Sequence, residues 1–531
     1  MNRETNIRNL NLNNIWDVVV IGGGASGLGV AVDSASRGYK TVLVEQSDFS
    51  KSTSSRSTKL VHGGVRYLSQ GDVALVLDAL KERGHFLKNV PHLVSKQEFV
   101  VPNYEWWDAP YYTIGLKMYD LMSGKKGFGK SEHINKEETI EKIPNLLKKE
   151  LDGGVVYYDG QFDDSRMAVT LAQTLVDKGG LAINYMKVNK LIRNRSGMIK
   201  GVNATDLETG NEHKINSRVV VNATGVFSDN IIKMDDPAAE KTVVASQGVH
   251  LVVDKKFLGS SSALMIPKTS DGRVLFAVPW HDKTVIGTTD SPVDNVSLEP
   301  RAMEEEVEFI LQTCKQYLKK SPERKDVLSV YAGLRPLVKP EKEDKKTKEI
   351  SRDHTISVSL SGLVSIVGGK WTTYRKMGED TMDTAIMIGG LKERPSVTAE
   401  MQLHAAMPGG DNDDHLKWYG ADSFKIKAMI AENPKLGERI IENYPYTKAE
   451  VVWACREEMA RNIEDFLARR IRLLFLDARA AIKASETVAK IMASELGYRR
   501  KWQKEQIESF NKLAGGYILI ENPIVEDSND E

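Results

Sequence analysis

The alternation of apolar and polar residues near the start of the chain predicts a β-α-β unit. Trp16–Ile21 is an apolar run typical of a buried strand, a helical pattern follows a glycine-rich turn and extends to about Arg37, and Thr41–Val44 is a second apolar run. Two further buried strands are predicted at Arg218–Asn222 and Leu363–Val367, each followed by a glycine signal. One sheet is therefore expected to be assembled from segments that lie far apart along the chain.

A second pattern predicts another sheet between these segments. Gln247–Asp254, Arg273–Pro279 and Lys283–Thr288 alternate in the way that antiparallel strands do. After about Pro395 the sequence becomes charged and helical in period, up to about Gly515. The predicted fold is an α/β Rossmann-like domain with an inserted antiparallel-sheet domain and an all-α C-terminal domain.

Length, charge and cysteine content narrow the class of protein. The 531 residues predict two to four domains, and the 73 basic residues equal the 73 acidic ones, so no overall field attracts nucleic acid and none is expected as a partner. Cys314 and Cys455 are typical of a reducing compartment and are expected to be buried and unreactive, and no metal site is predicted. Neither the first 16 residues nor the glycine-interrupted run Val18–Val32 predicts a secretion signal or a membrane-spanning helix.

Three glycines between the first strand and the first helix have the spacing of a dinucleotide-binding turn. In Gly22-x-Gly24-x-x-Gly27, the first glycine makes the turn, the second lets the main chain approach a pyrophosphate, and the third allows close helix packing. Ser26 lies in the same turn, and the helix N-terminus there favours phosphate. Glu45 ends the second strand, where a carboxylate accepts hydrogen bonds from a ribose diol. The chain is thus predicted to bind a dinucleotide through this unit.

The rest of the sequence favours a flavin dinucleotide. The chain has one unit of this kind and no Cys-x-x-Cys, which argues against a reductase with a second nicotinamide domain and a redox disulfide. Several separate motifs follow one another along nearly the whole chain: Ser54–Leu68, Gly287–Asp290, Gly333–Pro336, Ser351–Asp353 and Gly368–Arg375. Together they resemble the motifs of FAD-dependent, quinone-linked glycerol-3-phosphate dehydrogenases, which belong to the D-amino-acid-oxidase-like flavoproteins.

The predicted domain boundaries combine these patterns with the resemblance. The FAD-binding domain is expected to be discontinuous and to comprise residues 15–90, 150–240 and 355–390. The substrate-binding cap domain is expected at residues 91–149 and 241–354. The helical C-terminal domain is expected at residues 395–520, followed by an acidic tail at 521–531.

The resemblance implies that the cofactor is FAD and that further residues hold it. Hydroxyl groups in the loop after Ser54 would surround the phosphates and the ribityl chain, Val188 would place main chain against the adenine, and the helix that begins near Gly369 would face the flavin. The additional cofactor-binding residues expected on this basis are Ser55, Thr58, Val188, Ala223, Gly225, Gly369 and Thr372.

The resemblance also implies a set of substrate-binding cations. A small phosphorylated alcohol concentrates its negative charge in a compact head, so several directed donors are needed to take it out of water. The family's substrate positions fall on Arg66, Arg335, Arg352 and Lys370, with Arg335 and Arg352 assigned chiefly to the phosphate.

Oxidation of the alcohol needs a base that takes the hydroxyl proton, and histidine suits this task near neutral pH. His62, in the His-Gly-Gly loop, and His250, in the motif segment Gly248–Leu251, are both candidates, and the sequence does not decide between them. Arg66 or Lys370 would in addition lower the pKa of the alcohol electrostatically. The reaction implied by the resemblance is the oxidation of sn-glycerol 3-phosphate to dihydroxyacetone phosphate, with hydride transfer to FAD.

The electron acceptor has two alternatives. The dehydrogenase branch of the family passes electrons to membrane quinone, whereas the α-glycerophosphate oxidases reduce oxygen to hydrogen peroxide and carry an extra insertion for which 531 residues leave little room. Quinone is therefore favoured, which implies a cytoplasmic enzyme held peripherally on the inner face of the cell membrane. An amine oxidase on the same fold and a non-catalytic FAD-binding interaction module are more distant alternatives. A homodimer and the covalent attachment of FAD are left open.

One C-terminal segment, Arg469–Phe475, has two interpretations. Its three arginines beside Leu473, Leu474 and Phe475 form a basic and apolar combination that suits a membrane interface. The same spacing more often places the apolar residues inside a helical domain, with arginines paired to Glu464 or Asp465. The packing interpretation is favoured.

Overall fold

Two β-sheets with their covering helices and a helical C-terminal domain make up the computed structural model, which describes residues 1–12, 15–64, 73–104, 115–120, 122, 128–267, 269, 272–339, 353–408 and 414–520. The strands are β1 (Trp16–Ile21), β2 (Thr41–Val44), β3 (Leu60–Val61), β4 (Val94–Asn103), β5 (Glu132–Asn135), β6 (Gly153–Phe162), β7 (Leu181–Ile183), β8 (Met186–Arg193), β9 (Ile199–Asp206), β10 (Glu212–Asn222), β11 (Val243–Asp254), β12 (Ala263–Ile266), β13 (Leu275–Trp280), β14 (Lys283–Gly287), β15 (Ser291–Val293), β16 (Val327–Val338), β17 (His354–Val358) and β18 (Leu363–Gly368). The helices are α1 (Arg3–Leu10), α2 (Ala25–Ser36), α3 (Val73–Asn89), α4 (Lys136–Lys142), α5 (Asp164–Asp177), α6 (Ser228–Asp235), α7 (Glu304–Tyr317), α8 (Tyr374–Gly389), α9 (Asp422–Glu432), α10 (Lys448–Glu457), α11 (Leu473–Leu476), α12 (Ala478–Leu496) and α13 (Arg500–Gly515).

The first sheet is built around the predicted β-α-β unit. Its strands follow the order β17, β18, β10, β1, β2 and β7, and the neighbouring pairs from β18 to β7 are parallel. β17 is antiparallel to β18, and β8 and β9 extend β10 as an antiparallel ribbon. Because β1 is covered on both faces, it is apolar along nearly its whole length, as the sequence pattern predicts. The expectation that distant segments assemble this sheet is confirmed.

The second sheet carries the inserted domain. Its order is β15, β11, β14, β13, β12, β4, β6 and β3, with β16 also paired to β11 and β5 to β6. These pairs are antiparallel, except that β12 and β4 are parallel. β3 and β6 fall within the residues predicted for the FAD-binding domain, but both strands lie in this second sheet. β6 pairs with β4 along its whole length, with Phe162 opposite Val94 and Gly153 opposite Asn103, and β3 pairs with β6.

The C-terminal domain is helical, as predicted, and its basic segment is buried. Arg469 donates to Glu464 (2.6 Å) and Asp465 (2.7 Å), and both Arg469 and Arg470 donate to Asp48, which follows β2. The apolar residues beside them are also buried. The packing interpretation is confirmed, and the segment is not a membrane surface. Its buried ion pairs instead join the helical domain to the first sheet.

A histidine also links the helical domain to the first sheet. His404 Nδ1 lies 2.6 Å from Asp177 at the end of α5, and its Nε2 lies 2.8 Å from Asp422 at the start of α9. Partial burial disfavours a charge on the ring, but the two carboxylates outweigh burial and raise the pKa of His404 to about 9. The charged histidine therefore bridges two acidic helix ends.

We expect this bridge to stabilise the protein in a pH-dependent way. Because the folded pKa lies above the ordinary value near 6.5, the contribution is complete below about pH 6.5 and is lost as the pH rises through about 9. The melting temperature of His404→Asn should therefore fall below that of the wild type at about pH 6, and the two should converge near pH 10. Thermal melts across this range measure the difference, and a constant difference at all pH values would contradict the bridge.

Two features of the described residues complete the fold. No described helix combines the length and the apolar character needed to cross a bilayer. Cys314 and Cys455 are both buried, and burial raises the pKa of each thiol to about 12. The prediction that both cysteines are buried is confirmed, and their thiolate forms are strongly disfavoured at neutral pH.

Candidate functional site

The glycine turn after β1 has the close contacts that its sequence predicts. Gly22 has φ +111°, and a Cβ there would lie 2.6 Å from the carbonyl oxygen of Ala223. A Cβ on Gly27 would lie 1.9 Å from the carbonyl oxygen of Gly22, so α2 approaches the turn as only glycine allows. At Gly24 a Cβ would come within 3.0 Å of Ser54 Oγ. The turn therefore leaves main chain, not side chains, at the N-terminus of α2.

The Glu45 carboxylate shapes this turn. It accepts hydrogen bonds from the main-chain nitrogens of Gly23 (2.6 Å) and Ser47 (2.8 Å). Burial raises the pKa of Glu45, and these two bonds act against that rise. The side chain also lines the cavity described next, and its predicted bond to a ribose stays a prediction.

A cavity of about 480 Å³ lies between the two sheets and begins at this turn. Its volume is within the range typical of ligand sites. The predicted cofactor residues that line it are Gly22, Gly24, Ser26, Glu45, Thr58, Val188, Ala223, Gly225, Gly369 and Thr372. The predicted chemical residues that line it are His62, His250, Arg335 and Lys370.

Four predicted residues stand apart from this set. Gly27 lies behind the turn, and Ser55 is buried with its hydroxyl 3.3 Å from the carbonyl oxygen of Ser52, so neither lines the cavity. Ser54, the neighbour of Ser55, lines it instead. Arg66 and Arg352 lie outside the described residues, and their roles remain predictions.

His250 lies in β11 and is almost completely buried. Its Nε2 lies 2.9 Å from Thr58 Oγ1, and its ring stacks on Tyr331 with centroids 4.8 Å apart. Burial lowers the pKa of His250 well below its usual value, and the nearby charges of Lys59 and Arg335 lower it further. The ring is therefore neutral at physiological pH and resists taking up a proton.

His62 follows β3 and is only partly buried. Its main-chain nitrogen donates to Thr372 Oγ1 (3.3 Å), and that hydroxyl lies 3.4 Å from the carbonyl oxygen of His62. Thr372 belongs to the short helix Trp371–Thr373, which begins directly after Lys370. The His62 loop and the segment that carries Lys370 therefore meet at one wall of the cavity.

Arg335 is held in place by the protein around it. Its Nη2 donates to Thr288 Oγ1 (3.1 Å) and to the carbonyl oxygen of Thr289 (3.0 Å), and its Nη1 donates to the carbonyl oxygen of Gln247 (3.3 Å). Asp290 pairs with the same guanidinium at 3.4 Å. The side chain is 22 % exposed, so a positioned cation faces the cavity.

Comparison with known proteins identifies the family. Residues 17–375 match a model described as FAD dependent oxidoreductase, and residues 380–506 match one described as the C-terminal domain of alpha-glycerophosphate oxidase. A probable mitochondrial glycerol-3-phosphate dehydrogenase of Caenorhabditis elegans is 41 % identical over 95 % of this chain and 74 % of its own length. The mitochondrial glycerol-3-phosphate dehydrogenase of Homo sapiens is 39 % identical over 96 % of this chain and 75 % of its own. This chain belongs to the FAD-dependent glycerol-3-phosphate dehydrogenase family.

Solved structures agree with this family. The glycerol-3-phosphate dehydrogenase of Bacillus halodurans, complexed with FAD, matches with a TM-score of 0.79 and 30 % identity over 97 % of this chain and 98 % of its own. A glycine oxidase of Geobacillus kaustophilus matches with a TM-score of 0.53 at 15 % identity, over 74 % of this chain and 99 % of its own, and shows the shared fold alone. The predicted family, fold class and cofactor are confirmed.

The cavity of this glycerol-3-phosphate dehydrogenase family member fits FAD by its own geometry. The glycine turn leaves a space at the N-terminus of α2 that a Cβ would fill, and such a terminus favours a pyrophosphate. Partly buried Lys370 and the first residues of the short helix that follows it line the same cavity, which places a cation beside the space for the cofactor.

Several lining residues were not singled out from the sequence. Ser54 Oγ accepts a hydrogen bond from the main-chain nitrogen of Ala25 (2.9 Å), and its carbonyl oxygen accepts one from Trp371 Nε1 (2.8 Å). Ser54 and Trp371 lie in motifs of the family, and those motifs are the signal by which the sequence could have identified them. Arg273 and Asp159 also line the cavity, and the sequence around them carries no comparable signal.

Proposed function

We propose that this protein oxidises sn-glycerol 3-phosphate to dihydroxyacetone phosphate and passes the electrons to membrane quinone. The observation that carries the proposal is the shared cavity, which joins the dinucleotide turn to Arg335, Lys370 and two histidines. The names of the full-length relatives support the substrate. In the reaction, the substrate C2 loses a hydride to the flavin and its hydroxyl loses a proton to a base, which leaves a ketone.

FAD, when bound, supplies the hydride acceptor. Gly22, Gly24 and Ser26 would hold its pyrophosphate, Glu45 its ribose and Val188 its adenine. Thr58 and Gly225 would line the middle of the molecule, beside Ala223, and Gly369 and Thr372 would lie at the flavin end.

Arg335 and Lys370 would bind the substrate. The bonds that fix the Arg335 guanidinium hold its positive charge at the cavity wall, which lowers the entropic loss when a phosphate binds beside it. Lys370, next to the flavin end, would lower the pKa of the alcohol. Arg66 and Arg352 complete the proposed cation set on the basis of the family motifs alone.

His62 is the proposed proton acceptor. A base must be able to hold the proton that it takes, and the buried, neutral His250 between cationic neighbours is poorly suited to do so. His62 lines the same cavity in a less buried position. His250, whose Nε2 is held by the Thr58 hydroxyl, would instead help to orient the substrate.

Membrane quinone is the proposed acceptor, and the enzyme would then lie peripherally on the inner face of the cell membrane. The relatives matched along nearly the whole chain are named dehydrogenases, which supports this acceptor. The oxygen-dependent oxidase is the second candidate, because residues 380–506 match a domain described from alpha-glycerophosphate oxidase.

Anaerobic reduction tests the proposal. When the yellow protein is mixed with glycerol 3-phosphate without oxygen, the flavin absorbance should be lost, whereas glycerol should leave it unchanged because it lacks the phosphate. The reduced protein is then mixed with a soluble quinone analogue or with oxygen. Faster reoxidation by the quinone supports the dehydrogenase, faster reoxidation by oxygen with release of peroxide would establish the oxidase, and an unbleached flavin would refute both.

A further inference from the structure

Three buried polar side chains form a cluster beneath the His62 loop. Asp159 of β6 accepts hydrogen bonds from Arg83 Nη1 of α3 (2.6 Å) and from the hydroxyl of Tyr119 (2.8 Å), which lies in the helical residues 115–120. Arg83 Nη1 also lies 3.3 Å from the Tyr119 hydroxyl. Each of the three residues is at most 2 % exposed. The cluster is assembled from three elements that are distant in sequence.

The cluster reaches the loop through one main-chain group. The Tyr119 hydroxyl accepts a hydrogen bond from the nitrogen of Gly63 (2.8 Å), the residue directly after His62. A Cβ on Gly63 would lie 2.5 Å from that hydroxyl and 2.5 Å from Leu80. The close contact between the loop and Tyr119 therefore requires glycine at position 63. On the other side, Thr372 bonds the main chain of His62 itself. The loop is thus fixed from two directions.

The charges of the cluster give its hydrogen bonds a defined direction. Burial raises the pKa of Tyr119 well above its usual value, and Asp159 raises it further, so the hydroxyl keeps its proton and donates it to the carboxylate. Its oxygen is then available to accept from Gly63. Burial also raises the pKa of Asp159, while the neighbouring Arg83 lowers that pKa and balances the charge of the carboxylate.

The chemistry and position of the cluster indicate a role beyond core packing. Burying an ion pair costs desolvation energy that an apolar trio of the same size would not incur. Hydrogen bonds, however, fix distance and direction, which apolar contacts do not. Asp159 also lines the cavity, so the cluster lies directly behind the wall that carries His62.

We propose that Arg83, Asp159 and Tyr119 are positioning residues that hold the His62 loop in the geometry needed for proton transfer. The proposal rests on the role given to His62 in the proposed function. It assigns no contact with the substrate to the three residues, which act through the main chain of Gly63.

Tyr119→Phe tests this role, because it removes the hydroxyl and keeps the ring that packs with Val76 and Leu80. At saturating glycerol 3-phosphate we expect the anaerobic flavin reduction to be about 10-fold to 100-fold slower, since small displacements of a reacting group have effects of this size. Substrate affinity and flavin content should stay within about twofold. The matched control is Tyr39→Phe, which also removes a buried hydroxyl, bonded to the carbonyl oxygen of Lys392, away from the cavity.

A double variant separates positioning from a general structural effect. If Tyr119 acts through His62, adding Tyr119→Phe to His62→Ala should produce no further loss of rate, and a full multiplicative loss would overturn the proposal. A Tyr119→Phe rate equal to that of Tyr39→Phe would also overturn it. Gly63→Ala, which displaces the loop from an intact cluster, gives the same test if Tyr119→Phe does not fold. An unbleached wild-type flavin, by contrast, would refute the proposed function itself.

Discussion

Replacing His62 with alanine is expected to slow the reduction of bound flavin by glycerol 3-phosphate by a factor of about 10² to 10⁴, the usual contribution of a positioned base. The main-chain bonds to Thr372 and Tyr119 involve no atom of the His62 side chain, so the loop should keep its course and the protein its flavin. Rapid-mixing absorbance measurements without oxygen give the rate of this step directly. Flavin content and melting temperature measure whether the fold is intact.

The comparison with His250→Ala makes this prediction specific. Because His250 is buried beside Lys59 and Arg335, its loss should weaken substrate orientation and slow reduction less than the loss of His62. His133→Ala, at an exposed position on β5, serves as the control and should match the wild type. If His250→Ala caused the larger loss and His62→Ala little, the two histidines would exchange the roles proposed above.

Local patterns in the sequence predicted the elements that hold the dinucleotide turn. β1 and β2 begin and end at the predicted residues, because buried parallel strands are continuous apolar runs and the glycine turn limits them sharply. The strands β11, β13 and β14 also occur close to their predicted places. The partners of β6 could not be predicted in this way, since its ten residues are almost all buried and such a run does not indicate the sheet that it joins.

The site residues likewise comprise some that local sequence motifs predict and others that depend on tertiary contacts. His62, His250, Arg335 and Lys370 were found because each lies in a motif of the family, and the structure brings them to one cavity. The cluster of Arg83, Asp159 and Tyr119 was not found, because it depends on the contact between a helix, a strand and a third segment. Charged residues in such places look like ordinary surface residues in a sequence.

Arg335 combines a family motif with a geometry that only the fold supplies. It lies in β16 opposite Ser246 of β11, and the segment that follows β14 provides the acceptors that fix its guanidinium. The nearby Asp290 carboxylate partly balances its charge. A phosphate entering the cavity would meet a cation that is already oriented, and because both Nη groups already donate within the protein, it would share or displace those bonds to reach the guanidinium.

Arg335→Ala should therefore weaken the binding of glycerol 3-phosphate by about 2 to 5 kcal/mol, which is roughly 30-fold to several thousand-fold in affinity. The affinity of Arg335→Lys for glycerol 3-phosphate should lie between those of Arg335→Ala and the wild type, because lysine keeps the positive charge and lacks the planar guanidinium. Both should retain FAD, since Arg335 is not among the residues proposed to hold it. Titration of anaerobic flavin reduction against substrate concentration measures the affinity, with Arg456→Ala, an exposed arginine paired to Glu495, as the control. An Arg335→Ala affinity within about threefold of the wild type would assign the phosphate to other cations of the proposed set.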